Sequence, residues 1–158
     1  MLKYVDAIVS FQEIPDEISL CINISNCPNN CKGCHSAYLQ QDIGLELNTT
    51  TLQELIDKNT GVSCICFMGG DQDVASINEL AFSVLLRADK PRKVAWYSGK
   101  NIIPFDLDLE LFDFIKIGPY IEERGPLTNP NTNQIMFKID HTNDNIVIED
   151  ITYKFQKH

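Results

Sequence analysis

The chain has 158 residues, the size of one ordinary domain, and 44% of them are hydrophobic, enough for a core. Its formal charge of −9 at pH 7 argues against general binding to nucleic acid or anionic membranes, which requires a basic footprint. Apolar runs stay short of the roughly 18 residues that a membrane-spanning helix needs.

The opening residues, MLKYVDAIVSFQEIPDE, lack the apolar stretch and cleavage site of a signal peptide, so a cytoplasmic protein is expected. Cysteines are kept reduced in that compartment, and the six here point to metal or catalysis before disulfides. No repeat or linker divides the chain, so residues 1–158 read as one domain.

Residues 18–24, ISLCINI, read as a strand with β-branched positions. The Asn-, Pro- and Gly-rich stretch 25–35, SNCPNNCKGCH, reads as a loop, and a short helix is expected from Ser36 to Gln41. Thr50 and Gln53 have the spacing of a capping box, opening a helix with Leu52, Leu55 and Ile56 on one face and Gly61 at its end. Residues 62–68, VSCICFM, form a continuous apolar run suited to a buried parallel strand. Gly69, Gly70 and Asp71 follow directly, and Asp73 is placed to cap the next helix. In that helix Val74, Ile77, Leu80, Ala81, Val84, Leu85 and Ala88 make one apolar stripe. KVAWY at 93–97 and FDFIKI at 112–117 read as strands, as do segments near 134–139 and 146–149.

Arg87, Lys90, Arg92 and Lys93 form the one basic stretch, read as a solvated helix end, with partner docking as the alternative. Strands alternating with helices imply βαβ units and a mostly parallel sheet. The chain is short of the ~250 residues of a full eight-unit barrel. The expected fold is therefore α/β, an open partial (β/α) barrel of about five to six mostly parallel strands. Ligands of such sheets sit at the carboxyl ends of the strands. The cysteine loop, the Gly-Gly-Asp turn and the segment after Tyr97 all fall at that rim.

Cys27, Cys31 and Cys34 form a C-x3-C-x2-C pattern. Soft thiolates select iron–sulfur clusters, zinc or copper(I). Cubane clusters usually take four cysteines, so three in one loop leave one iron open to a ligand. The alternative is a zinc site completed by His35 or Cys21. Cys21, Cys64 and Cys66 lie in apolar strand runs and read as small core hydrophobes, although Cys64 and Cys66 share a strand face that can reach the site.

The run Cys27-Pro-Asn-Asn-Cys31-Lys-Gly-Cys34-His35 resembles the cluster loop of radical S-adenosylmethionine enzymes. Gly69-Gly70-Asp71 resembles the GGE motif of that family, with Asp71 where Glu is usual. The closer resemblance is to the anaerobic ribonucleotide reductase activating proteins, which are glycyl-radical activases. It covers nearly the whole chain through FQEIPDEISL at 11–20, Gly33 before the last loop cysteine, FDFIKIGPYIEERGP at 112–126 and Asn133-Gln134. No second cysteine cluster accompanies the first, unlike in some other glycyl-radical activases.

What the resemblance implies is a radical S-adenosylmethionine barrel in which Cys27, Cys31 and Cys34 hold one 4Fe–4S cluster. The fourth iron chelates the amino and carboxylate groups of S-adenosyl-L-methionine, and one electron from the cluster yields a 5′-deoxyadenosyl radical. The hydrogen is taken from a glycine of the anaerobic ribonucleotide reductase catalytic subunit, and a flavodoxin-like protein donates the electron. Gly33, Cys34, His35, Gly69, Gly70 and Asp71 are the expected cofactor contacts. Trp96, Tyr97, Ser98 and Gly99 are candidates to border the adenosine, and Glu122, Glu123 and Arg124 to shape the partner surface. Other radical substrates and a non-enzymatic zinc adaptor are the competing expectations.

Overall fold

The computed structural model describes residues 1–156. Strands β1 (Leu2–Ser10) and β2 (Ser19–Ile24) pair antiparallel, and β3 (Leu45–Leu47) joins the outer edge of β1. Helix α1 (Thr49–Asp57) leads into β4 (Cys64–Met68), and α2 (Val74–Leu85) into β5 (Lys93–Tyr97). Then follow β6 (Phe114–Ile117), β7 (Ile135–Thr142) and β8 (Asn145–Asp150). All eight strands form one sheet in the order β3-β1-β2-β4-β5-β6-β7-β8. The central strands β2, β4, β5 and β6 run parallel, and the pairs on both flanks are antiparallel.

This corrects the expected partial (β/α) barrel of radical S-adenosylmethionine type. The described residues form an eight-stranded mixed sheet with only two α-helices. The reasons are local. Between β5 and β6, Gly99, Pro104, Asp106 and Asp108 break any helical stripe, and the crossover holds only a 3-10 turn at Leu109–Leu111. At the far end Asn143 and Asp144 both take left-handed backbone, φ 51° and 65°, which suits a tight two-residue hairpin. That turn folds β8 back on β7 and leaves no room for a helix.

Helix starts follow their polar neighbours. Asp73 caps α2 by accepting the Ser76 N–H at 3.1 Å, as expected from sequence. For α1 the cap is Asn48, which accepts the Thr51 N–H at 2.9 Å, and not the expected Thr50–Gln53 box. Gln53 points instead at α2, donating to the Ser83 hydroxyl and accepting from Arg87.

Both helices cover one face of the sheet. Leu52 and Ile56 of α1 and Ile77, Leu80, Ala81 and Val84 of α2 bury against Leu20, Ile22, Ile65, Phe67, Val94 and Trp96. Each fully buried side chain of this size contributes roughly 1.5–3 kcal/mol. The opposite face carries Cys21, Cys64, Cys66, Ala95, Tyr97 and Phe114, covered by Ile14, Leu127 and Ile151 from loops. The basic stretch is part of this framework. Arg87 and Arg92 both bond Asp89, and the buried Arg92 donates to the carbonyls of Thr60 and Val62. Among the described residues no helix is long and apolar enough to cross a membrane.

Candidate functional site

The strand register builds the floor of a cavity. Asn23 of β2 lies beside Met68 of β4, Met68 beside Tyr97 of β5, and Tyr97 beside Lys116 of β6. All four residues line a cavity of about 280 Å³ at the carboxyl ends of the parallel strands. One row deeper on the same face run Cys21, Cys66, Ala95 and Phe114. The expected rim location is thus present on a sheet that is not a barrel.

The cysteine loop forms one wall. Cys27, Cys31, Cys34 and His35 all line the cavity. The loop is fastened at its base, where Asn26 N–H donates to Gln41 O and Cys27 N–H to Leu39 O, each at 2.9 Å. Each cysteine directly follows a residue of left-handed backbone: Asn26 (φ 59°), Asn30 (φ 47°) and Gly33 (φ 76°). Asn and Gly are the residues that adopt this conformation at least cost. Three such reversals in eight residues bend the loop around a concavity. The His35 ring meets Tyr120 of the opposite wall edge-on, with centroids 5.5 Å apart.

All six cysteines are free. Among the described residues no three His, Cys, Asp or Glu side chains converge closely enough to hold a single metal ion. A tetrahedral ion gathers its thiolates to within about 4 Å of one another. Cys27, Cys31 and Cys34 all line the one cavity, and three thiols are a donor set that a four-iron cube can take on three of its corners. Cys21, Cys64 and Cys66 lie behind the floor and are buried. Burial pushes the Cys64 thiol up to about 12 and the Cys66 thiol well above its usual value. They remain protonated at neutral pH, which suits core residues rather than ligands.

The Gly-Gly-Asp turn divides its labour. Gly69 lines the cavity, but its backbone is engaged: the N–H donates to Tyr97 O at 3.0 Å, and the carbonyl accepts from Trp96 Nε1 at 2.7 Å. A β-carbon on it would stand 3.0 Å from the Ile24 carbonyl oxygen, so glycine lets the turn pack closely against the end of β2. Gly70 faces the helix layer, where a β-carbon would stand 2.6 Å from Ile77 Cδ1. Asp71 lines the cavity and accepts from Ser98 Oγ at 2.5 Å, from Asn29 Nδ2 at 2.6 Å and from Gly99 N–H at 2.8 Å. Tyr97, Ser98 and Gly99 line the cavity, whereas Trp96 is buried in the helix-side core. Gly33 packs against the Glu122 carboxyl, 3.2 Å from where its β-carbon would be. Arg124 donates to Asn131 O within its own loop.

Lys116 and Asn29 line the cavity without any signal for it in the sequence. Lys116 places its ammonium 4.6 Å from the centre of the Tyr97 ring, and among the described residues it forms no ion pair. Burial lowers its pKa below the usual 10.5. Its alternation with Ile115 and Ile117 marks it as facing away from the helices, but that signal does not reveal a cavity. Asn29 has the sequence setting of a turn residue, yet it joins the cysteine loop to Asp71.

Neither family models, nor curated proteins, nor solved structures match this chain.

Proposed function

We propose that this protein is a cytoplasmic activase that binds one 4Fe–4S cluster and S-adenosyl-L-methionine and generates a glycyl radical on an anaerobic ribonucleotide reductase. The observation that carries this reading is the meeting of Cys27, Cys31 and Cys34 with Gly69 and Lys116 in one cavity at the parallel strand ends. When bound, the cluster supplies the electron that opens the sulfonium of S-adenosylmethionine. Cys27, Cys31 and Cys34 are the residues that would hold the cluster, through three of its irons. Lys116 offers its ammonium to a ligand carboxylate. Tyr97, Tyr120 and Met68 exclude water from the ligand's apolar parts. His35 borders the same space. A flavodoxin-like donor provides the electron.

The test is electron paramagnetic resonance on the anaerobically reconstituted and reduced protein, with and without S-adenosylmethionine. The expected result is a reduced 4Fe–4S signal whose shape changes on adding the cofactor. A glycyl-radical signal should follow when the reductase catalytic subunit is included. Stoichiometric zinc and no iron–sulfur signal would overturn the reading and favour an adaptor.

Lys116→Met is expected to weaken S-adenosylmethionine binding about tenfold or more, the size of a lost charge-assisted hydrogen bond. It should also stabilise the ligand-free fold at neutral pH. A lysine whose folded pKa is lowered carries its full penalty below that pKa, and the penalty fades as pH rises to the usual 10.5. Denaturation midpoints at several pH values check this, with the gain from Met shrinking through that window.

A further inference from the structure

We infer that Asn29 is a positioning residue whose side-chain N–H bonds the sulfur of Cys27 and raises the reduction potential of the cluster. The inference rests on the cluster reading above. Asn29 Nδ2 lies 3.6 Å from Cys27 Sγ and 2.6 Å from Asp71 Oδ2. An amide NH2 has two hydrogens, and here each has an acceptor.

The direction of the amide is set by Asp71. An ionised carboxylate only accepts hydrogen bonds, so the NH2 end of Asn29, not its carbonyl, must face it. The same nitrogen then presents its second hydrogen to the sulfur. Asp71 is in turn held by Ser98 Oγ and Gly99 N–H. Gly99 also makes the space: a β-carbon there would lie 2.9 Å from Asn29 Cγ and closer still to Nδ2. The loop between β5 and β6 thereby fixes a donor on the loop after β2. This role also accounts for a short Asp at the end of the Gly-Gly turn, since its carboxylate accepts three hydrogen bonds from the protein.

The electrostatic consequence has a definite sign. Reduction adds one negative charge to the cluster and its sulfurs. An N–H aimed at a ligand sulfur stabilises that added charge, so its loss makes reduction harder.

The experiment is a redox titration of the reconstituted protein followed by electron paramagnetic resonance. The unaltered protein is compared with Asn29→Leu and Asp71→Asn. Asn29→Leu should retain its iron and shift the midpoint to more negative values. Asp71→Asn can turn its amide nitrogen towards the Ser98 hydroxyl and keep an oxygen towards Asn29, so it should not lower the midpoint. An unchanged midpoint in fully loaded Asn29→Leu would overturn the inference while leaving the cluster reading intact. Should Asn29→Leu fail to hold iron, the unaltered protein with 15N in its asparagine side chains decides. Pulsed measurements should show hyperfine coupling from an amide nitrogen to the reduced cluster, and its absence would overturn the inference. No iron–sulfur signal in the unaltered protein would remove both readings.

Discussion

Cys27→Ala, Cys31→Ala and Cys34→Ala are each expected to abolish assembly of the iron–sulfur cluster, while Cys21→Ala, Cys64→Ala and Cys66→Ala retain it. The two sets differ in place, not in residue type. The first three line the cavity, each directly after a left-handed residue in a loop fastened at its base. The second three sit in the sheet, in or next to the row behind the cavity floor. Ligation requires a thiolate, and burial pushes the Cys64 thiol up to about 12. Bringing Cys64 or Cys66 to a metal would also break the parallel ladder between β2, β4 and β5. Their replacement by Ala removes one buried sulfur, a cost of about 1 kcal/mol in transfer and cavity terms. Iron and sulfide analysis of each folded variant is the measurement. Full iron in Cys31→Ala would sink the ligand assignment, and loss of iron from well-folded Cys64→Ala would show that a core thiol takes part.

Much of this arrangement was legible because its signals are local. The runs of β4 and β5 are short and apolar, and Asp73 and the α2 stripe announce a helix start. The turn residues of the cysteine loop likewise match its left-handed positions. The strands that were missed lack such signals. β1 is half-exposed along most of its length and shows no clean alternation, and β3 has three residues. The barrel expectation failed at the step from periodicity to architecture. Two helices and several strands suggested repeated βαβ units, but the segment between β5 and β6 crosses over without an α-helix, and the last two strands form a hairpin. For the site, motif spacing located the cysteines and the Gly-Gly-Asp turn. Lys116 and Asn29 depend on register and on contacts between distant loops. Nothing in FIKI says which sheet face holds a cavity, and nothing in CPNNC says that an asparagine meets a carboxylate 42 positions away.

Gly70→Ala is expected to destabilise the fold by roughly 2–5 kcal/mol, combining the strain of a non-glycine residue in left-handed backbone with overpacking. Gly70 has φ +96°, and an ideal β-carbon there would lie 2.6 Å from Ile77 Cδ1 and 2.9 Å from Ile77 Cγ1. Ile77 is fully buried on the sheet-facing side of α2, so it has little freedom to retreat. Part of the collision can be separated from the backbone strain, because Ile77→Val deletes Cδ1, the nearer of the two atoms that the new methyl would strike, and keeps Cγ1. Gly70→Ala should therefore cost less in the Ile77→Val background, by about 1 kcal/mol or more, while the strain persists. Urea unfolding of the four proteins measures this coupling. The outcome also fixes what the second glycine of the turn is for. Strong coupling to Ile77 with unchanged ligand affinity means that Gly70 lets β4 turn beneath α2 and so carries Asp71 to the cavity. A stable Gly70→Ala protein that has lost affinity for S-adenosylmethionine would instead place Gly70 against the ligand and overturn the packing role.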